Sequence, residues 1–185
     1  MKVLGFDPSL NNWGIARGNF DENTGEIHIT DVALVQPEVT KSKQVRQNSK
    51  DLSAAEQLAR GVIDNIRDAQ AIFVEVPVGS QSARAMASYG ICTGVLGYMR
   101  ATGIPFFIVT PTEVKMVSVG NKSASKKQMI DWAITAHPNV QMPSYKKNGI
   151  VQITEAKAEH MADAIATIHA GVTLPDFQQF LRMTA

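Results

Sequence analysis

A single carboxylate, Asp7, ends the first apolar segment of the chain. Residues 2–8 have the composition of a buried strand, and a turn-forming segment follows at once, up to Gly14. A charge there is costly unless a basic side chain, backbone N–H groups or a metal ion compensates it. If the partner is a metal ion, further carboxylates should lie elsewhere in the chain, and Glu75 and Asp163 are candidates because both border apolar segments.

Composition places the chain in a broad class. Its 185 residues suffice for one domain with a substantial core, and we expect residues 1–185 to form a single domain. The 44% hydrophobic and 19% charged residues are typical of a globular protein. One cysteine, Cys92, excludes a disulfide framework and fits a reducing compartment such as the cytoplasm. We expect neither a signal peptide, because Asp7 and Pro8 interrupt the N-terminal segment, nor a membrane span.

The net charge of +1 conceals an uneven distribution. Residues 20–40 are acidic, whereas residues 41–50 carry only basic charges. Residues 111–150 contain six lysines against two acids. These lysines are Lys115, Lys122, Lys126, Lys127, Lys146 and Lys147. Such segregation can form a basic face for a polyanion, and a set of solvated loops is the alternative.

The order of apolar segments predicts the fold class. Residues 2–8, 12–19 and 26–36 read as a meander of three antiparallel strands joined by turns. Further buried strands, at 71–76 and 103–110, alternate with helices. The predicted helices cover 53–68, 80–101, 112–117, 125–136 and 155–170, with an irregular segment or hairpin at 137–154 and an amphipathic tail after Pro175. This order predicts an α/β fold whose mixed sheet has helices on both faces.

Small residues dominate the predicted helix at 80–101. Alanine, serine and glycine allow close approach of a neighbouring element, so we expect this helix to be packed on more than one side. Packing within the chain and packing against a second copy are both compatible with the pattern.

The helix at 155–170 carries the second group of candidate ligands. At 100° per residue, Asp163 lies about 40° from Glu159 and about 60° from His160, so either can share its face. A solvated helix edge carrying such residues is the alternative. Taken with Asp7 and Glu75, the set offers oxygen ligands with at most one imidazole, which favours Mg²⁺ or Mn²⁺ over zinc.

Four motifs in order resemble the RuvC class of Holliday junction resolvases, in the RNase H-like superfamily. Residues 5–9 with Trp13 and Gly14 are similar to the family's opening Gly-hydrophobic-Asp-Pro motif, and residues 73–75 to its strand ending in Glu. Residues 111–128 resemble a lysine-containing segment, and residues 160–166 a helix with Asp or His three residues before Asp. The resemblance spans nearly the whole chain.

The resemblance implies a set of site residues. The metal-site positions would be Asp7, Glu75, His160 and Asp163, holding two Mg²⁺ ions for which Mn²⁺ can substitute. Many members have Asp at the position of His160, so Glu159 is an alternative fourth ligand. Lys115 and Lys126 match family lysines near the scissile strand. Lys122, Lys127, Lys146 and Lys147 are candidate phosphate contacts on charge alone.

The expected activity is metal-dependent, structure-selective cleavage of four-way or branched DNA, in a homodimer that supplies two active sites. One departure from the family is the absence of an aromatic residue directly after Glu75. Tyr145 could stack on a base or anchor in the core. A catalytically silent junction-binding protein and an RNase H-fold ATPase relative are the rival functions. A bacterial or a bacteriophage origin fits the sequence, and departures from the family favour the bacteriophage.

Overall fold

A computed structural model describes residues 1–184. Five strands form the main sheet, and two more form a separate hairpin. The main strands are β1 (Lys2–Asp7), β2 (Trp13–Phe20), β3 (Ile27–Val35), β4 (Ala71–Glu75) and β5 (Phe107–Val109). The hairpin consists of β6 (Ser144–Lys147) and β7 (Ile150–Ile153). The strand order β3-β2-β1-β4-β5 combines an antiparallel meander with the parallel strands β4 and β5, as the sequence predicts.

Helices cover both faces of this sheet. Successive side chains of β1 point to opposite faces, so Val3 joins one buried cluster and Leu4 and Phe6 join the other. The helices are α1 (Gln47–Ile66), α2 (Ala83–Ala101), α3 (Pro111–Ser118), α4 (Lys126–Ala136), α5 (Glu155–Gly171) and α6 (Pro175–Thr184). Helices α1 and α2 pack on the face of Leu4, and α3 to α6 pack on the face of Val3. The predicted α/β fold is therefore confirmed.

Two predicted elements differ in length. Helix α1 begins at Gln47, six residues before the predicted start. Its first turns are mostly exposed and carry no apolar face, so the apolar spacing in the sequence does not reveal them. Strand β5 is limited to Phe107–Val109, whereas residues 103–110 were expected to be extended. Residues 103 and 104 instead close the end of α2, where the Ile104 N–H donates to the Met99 carbonyl oxygen at 3.0 Å.

Within the described chain, α2 packs on one side, so of the two kinds of packing that its small residues predict, packing against a second copy remains open. Its buried residues form one face, which contains Cys92 and Met99. A Cβ added at Gly90, Gly94 or Gly97 would meet no other atom of the described chain within 4 Å. The small residues of α2 therefore lie on an uncovered face. No other element of the described chain packs against that face. No helix within residues 1–184 is both long and apolar enough to span a membrane.

Glycines allow α5 to lie directly on the strands. A Cβ at Gly5 of β1 would lie 2.1 Å from the Ala164 carbonyl oxygen, and one at Gly14 of β2 would lie 2.0 Å from the His160 carbonyl oxygen. Both contacts involve backbone atoms, which cannot move aside as a flexible side chain can. The backbone of α5 is thus fixed close to the ends of β1 and β2.

We expect Gly5→Ala to lower the free energy of unfolding by about 3 kcal/mol or more, because the added methyl group forces α5 away from the sheet. Chemical denaturation measures this change. The control is Asn48→Ala, at an exposed position in the first turn of α1, which should change stability by less than about 1 kcal/mol. Equal stability of Gly5→Ala and the wild type would refute the close contact between α5 and β1.

Candidate active site

Strand register brings Asp7 and Glu75 together. Strands β1 and β4 are parallel neighbours in which Phe6 pairs with Val74, so the next residues, Asp7 and Glu75, lie side by side at the carboxyl ends. Adjacent strands are about 4.8 Å apart. Both carboxylates lie on the face that α5 covers, since Asp7 shares the side of Gly5 and Glu75 shares that of Phe73. Two acids therefore meet at one partly buried point.

Helix α5 adds three further groups. His160 Nδ1 lies 2.6 Å from Asp7 Oδ2, and this bond joins the helix to the first strand. Glu159 Oε1 lies 3.6 Å from His160 Nε2, and Glu159 Oε2 lies 2.6 Å from the Nζ of Lys126. Asp163 follows His160 by about one helical turn and is half-buried near Asp7 and Glu75. The helix thus delivers an imidazole and two carboxylates to the acids of the sheet.

Capped helices position the two lysines. The side chains of Thr110 and Glu113 form a capping box that starts α3, and Lys115 lies in the following turn. A second capping box, between Ser125 and Gln128, starts α4 directly before Lys126. Both lysines line the same cleft as the acids, so helix starts that are readable in the sequence bring the cations to the site.

The electrostatics of the site show an excess of buried negative charge. Burial raises the pKa of Glu75 to about 9, and the charges of Asp7 and Asp163 add to the effect while Lys115 opposes it. Burial and Asp7 also raise the pKa of Asp163 to about 7. Burial disfavours the charged form of His160, but the hydrogen bond to Asp7 and the negative charges of Asp7, Glu159 and Asp163 together outweigh burial and raise the pKa of the imidazole. Without a further cation, the site therefore retains protons that carboxylates normally lose.

One cleft of about 380 Å³ collects most of the predicted residues. It is lined by Asp7, Glu75, Lys115, Lys126, Glu159, His160 and Asp163. Lys127 lines a neighbouring groove, and Lys146 and Lys147 lie on the β6–β7 hairpin. Lys122, in the turn before α4, does not line the cleft. The structure thus brings together the acids, the imidazole and two of the six lysines.

The donor set suits a hard divalent cation. Carboxylate oxygens with one imidazole are ligands of Mg²⁺ or Mn²⁺, and an ion would offset the charge that raises the pKa of Glu75 and Asp163. No group of three His, Cys, Asp or Glu side chains within residues 1–184 has the arrangement of a ready metal site. The donor atoms contact one another instead: His160 holds Asp7, and Lys126 holds Glu159.

Sequence reasoning missed a polar network that holds the turn after β1. The Asn12 side chain donates to the Ala156 carbonyl oxygen at 3.3 Å and accepts from the Gln36 amide at 2.7 Å. Lys157 donates to Gln36 at 3.2 Å. These contacts tie the turn to the start of α5, which carries the site. Tyr89 of α2 also lines the cleft. No spacing rule connects these residues, because the fold alone brings them together.

Comparison with known proteins places this geometry in context. A scan against protein-family models and a search of curated proteins find no match. RuvC of Thermus thermophilus in complex with a Holliday junction substrate aligns over 100% of this chain and 96% of its own, with 17% identity and a TM-score of 0.61. The yeast mitochondrial Holliday junction resolvase aligns over 99% of this chain and 84% of its own, with 15% identity and a TM-score of 0.59.

The fowlpox virus resolvase, solved with Holliday junction DNA, aligns over 98% of this chain and 99% of its own, with 18% identity and a TM-score of 0.50. Likeness at these identities establishes the fold. The chain therefore has the RNase H-like fold of the RuvC-type Holliday junction resolvases, as its motifs predict.

Proposed function

We propose that residues 1–185 form a single nuclease domain that resolves four-way or branched DNA by metal-dependent, paired cleavage of phosphodiester bonds. One observation carries this proposal: Asp7, Glu75 and Asp163 converge in one cleft, and burial and mutual repulsion raise the pKa of the last two. Carboxyl groups in a cleft whose pKa values are strongly raised by burial and by neighbouring charges indicate a functional site. The resolvase fold and two cleft lysines are consistent with a DNA substrate.

Asp7, Glu75, His160 and Asp163 would hold two Mg²⁺ ions, for which Mn²⁺ can substitute. When bound, such ions activate a water molecule and stabilise the leaving oxygen in phosphodiester cleavage. The protein itself orients the ligands: the Asp7 carboxylate fixes the ring of His160, and the strand register fixes Glu75 next to Asp7. As an alternative to binding metal, His160 would accept a proton from the attacking water.

The lysines bind and orient the DNA. Lys115 and Lys126 line the cleft, where an ammonium group next to the scissile phosphate offsets charge that develops in the transition state. Lys126 is held by Glu159 in the free protein, and a phosphate group would compete for the same ammonium. Lys122, Lys127, Lys146 and Lys147 lie outside the cleft and would contact the flanking backbone.

Paired cleavage of one junction requires two active sites, so we propose a homodimer. The uncovered face of α2 is the candidate interface. Gly90, Gly94 and Gly97 leave space for a close partner, and Met86 and Tyr98 are exposed on the same helix. Small residues flanked by large apolar ones allow two helices to approach and bury area. A DNA-processing enzyme of this type would act in the cytoplasm of a bacterial cell, or of the host if a bacteriophage encodes it.

The test of this proposal is incubation of the purified protein with a labelled four-way junction, a linear duplex and a splayed arm, with Mg²⁺, with Mn²⁺ and with a chelator. We expect paired cuts in the junction only, and only with a metal ion. Binding to the junction without cleavage in either metal would refute the enzyme and support the silent junction-binding protein. Equal cleavage of the linear duplex would refute structure selectivity.

Two variants test whether His160 or Glu159 is the fourth metal ligand. We expect His160→Ala to lower the cleavage rate about 100-fold or more, because His160 contacts Asp7 directly. Glu159→Gln should lower the cleavage rate less than about tenfold, since Glu159 contacts Lys126, which is mostly exposed. Single-turnover cleavage of the junction measures both rates. Full activity of His160→Ala together with a large loss in Glu159→Gln would assign the ligand role to Glu159.

A further inference from the structure

The β6–β7 hairpin stands apart from the main sheet. Its strands pair only with each other, and the residues from Ser144 to Gln152 are all exposed. Asn148 and Gly149 form its turn with φ values of 52° and 79°. Two left-handed residues between paired strands are typical of a type I′ turn, whose twist matches that of the strands. The hairpin is therefore an ordered projection that is not part of the core.

The tip of this hairpin combines aliphatic and cationic side chains. Ile150 and Val151 are 64% and 60% exposed. In the strand register Ile150 pairs with Lys147 and Val151 pairs with Lys146, so each face of the tip carries one apolar and one basic residue. Lysine is depleted in protein–protein interfaces, whereas lysine beside apolar surface suits a nucleic acid, which has phosphates next to base and sugar faces.

Tyr145 presents an aromatic ring on this projection. Its hydroxyl donates to Gln152 Oε1 at 2.8 Å across the strand pair, which orients the ring, and the residue is 48% exposed. Tyr145 borders a groove of about 570 Å³ whose other charged lining residues are Lys127, Asp131 and Glu155. A tethered, half-exposed ring next to lysines has the properties of a platform on which an unpaired base can stack.

The hairpin lies next to the candidate active site. The Thr154 N–H donates to the Pro143 carbonyl oxygen at 2.8 Å and closes the base of the hairpin directly before α5. Glu159 follows the first residue of α5 by about one turn, or about 6 Å along the axis. At the start of α4, Lys126 lines the cleft and the next residue, Lys127, lines the groove of Tyr145. The candidate active-site cleft and the groove beside Tyr145 are therefore adjacent at α4 and at α5.

We propose that the β6–β7 hairpin recognises the branch point of the DNA: Tyr145 stacks on an unpaired base of the strand that leaves the cleft, and Lys146 and Lys147 contact its phosphates. This inference rests on the proposed function and assigns branch recognition to a part of the chain separate from the cleft. An intact duplex offers no unpaired base, so the ring adds affinity for the junction and not for the duplex.

The experiment compares Tyr145→Ala with Tyr145→Phe, each combined with Asp7→Asn and assayed in a chelator so that binding is measured without cleavage. Stacking of one base contributes about 1–3 kcal/mol, so Tyr145→Ala should weaken junction binding between about 5-fold and 100-fold. Tyr145→Phe keeps the ring and should bind the junction within about twofold of the parent. Neither variant should change duplex binding by more than about twofold.

Two further measurements identify the contact itself. A junction with 5-iodouracil at the branch point should crosslink to Tyr145 on irradiation, and mass spectrometry of the digested complex locates the crosslink. Changing Lys146 and Lys147 to Gln should reduce the slope of log affinity against log salt concentration by about two. Thermal melting of each variant is the control for folding, and the melting temperatures should match that of the parent because the hairpin is exposed.

The outcomes separate the hairpin inference from the proposed function. If the wild type cuts the junction but Tyr145→Ala binds it as the parent does and no crosslink forms at Tyr145, only the hairpin inference is wrong. If the wild type neither binds nor cuts the junction, both are wrong. If changing Ile150 and Val151 to Ser alters the oligomeric state while Tyr145→Ala leaves junction binding intact, the tip is a protein interface, and the inference is also overturned.

Discussion

Asp7→Asn is expected to abolish cleavage of the four-way junction, with a loss of about 10³-fold or more in the single-turnover rate. Asp7 lies where β1, β4 and α5 meet and contacts His160 directly. Asn is nearly isosteric, and its side-chain oxygen can still accept the hydrogen bond from His160 Nδ1. The substitution therefore removes a negative charge and a proposed metal ligand while it keeps the packing.

Junction binding by Asp7→Asn should stay within about twofold of the wild type, because the proposed phosphate contacts are lysines and do not include Asp7. Its melting temperature should not fall. The matched control is Asp31→Asn, which changes an exposed carboxylate paired with Arg17 on β2, away from the cleft, and should leave the cleavage rate unchanged. Loss of both binding and stability in Asp7→Asn would indicate that Asp7 has a folding role instead of a catalytic one.

Metal-free protein is expected to lose stability as the pH rises from 7 to 9. The pKa of Glu75 is about 9 in the folded chain against a reference value of 4.5, so the folded state binds more protons than the unfolded state throughout this interval. Stability conferred by a raised carboxyl pKa is complete below the unfolded value and is lost as the pH rises through the folded value. The expected loss is about 2 kcal/mol, or about 5 °C in melting temperature.

This pH interval isolates the acids from a pair of half-buried histidines, His137 and His169, whose Nε2 atoms lie 2.9 Å apart. Burial lowers the pKa of His137, and lowers that of His169 to about 4, so both are neutral above pH 7 in the folded state. Melting curves in a chelator and in Mg²⁺ measure the effect. Mg²⁺ should restore stability at high pH, since an ion that binds only the folded state raises its melting temperature.

Glu75→Gln should remove most of the change in melting temperature between pH 7 and 9. It should also remove most of the increase in melting temperature that Mg²⁺ causes. The reason is that it removes the carboxyl group with the most strongly raised pKa of the site. The matched control, Glu56→Gln, changes an exposed carboxylate on α1 and should behave as the wild type does. A melting temperature that does not vary between pH 7 and 9 in the chelator would contradict the electrostatic account of the cleft.

The sequence predicts the acids of the site because each lies where a charge is unexpected. Asp7 and Glu75 end apolar strands, and the spacing of Glu159, His160 and Asp163 puts them on one side of a helix. Helix periodicity is a local rule that puts the three α5 residues on one side, and the parallel pairing of β1 with β4 then aligns Asp7 with Glu75. The packing of α5 on the sheet brings both groups into one cleft. The same rules predict the meander and the alternating helices and strands.

Other features depend on contacts that no local rule provides. The pairing of Lys126 with Glu159, and of His160 with Asp7, requires the relative placement of α4, α5 and the sheet. The small residues of α2 indicate close packing, but the sequence does not tell whether the partner is the same chain or another one. Helix α1 begins before its apolar face does, so periodicity detects only its later turns.

The most direct test of metal-dependent junction resolution uses a supercoiled plasmid that extrudes a cruciform, which is a four-way junction. With Mg²⁺, the wild type should convert this plasmid to a linear product by two cuts at the base of the cruciform, without accumulating nicked circles. A matched plasmid without the inverted repeat should remain supercoiled. A cruciform plasmid that stays supercoiled in both Mg²⁺ and Mn²⁺, although the protein binds it, would contradict the account.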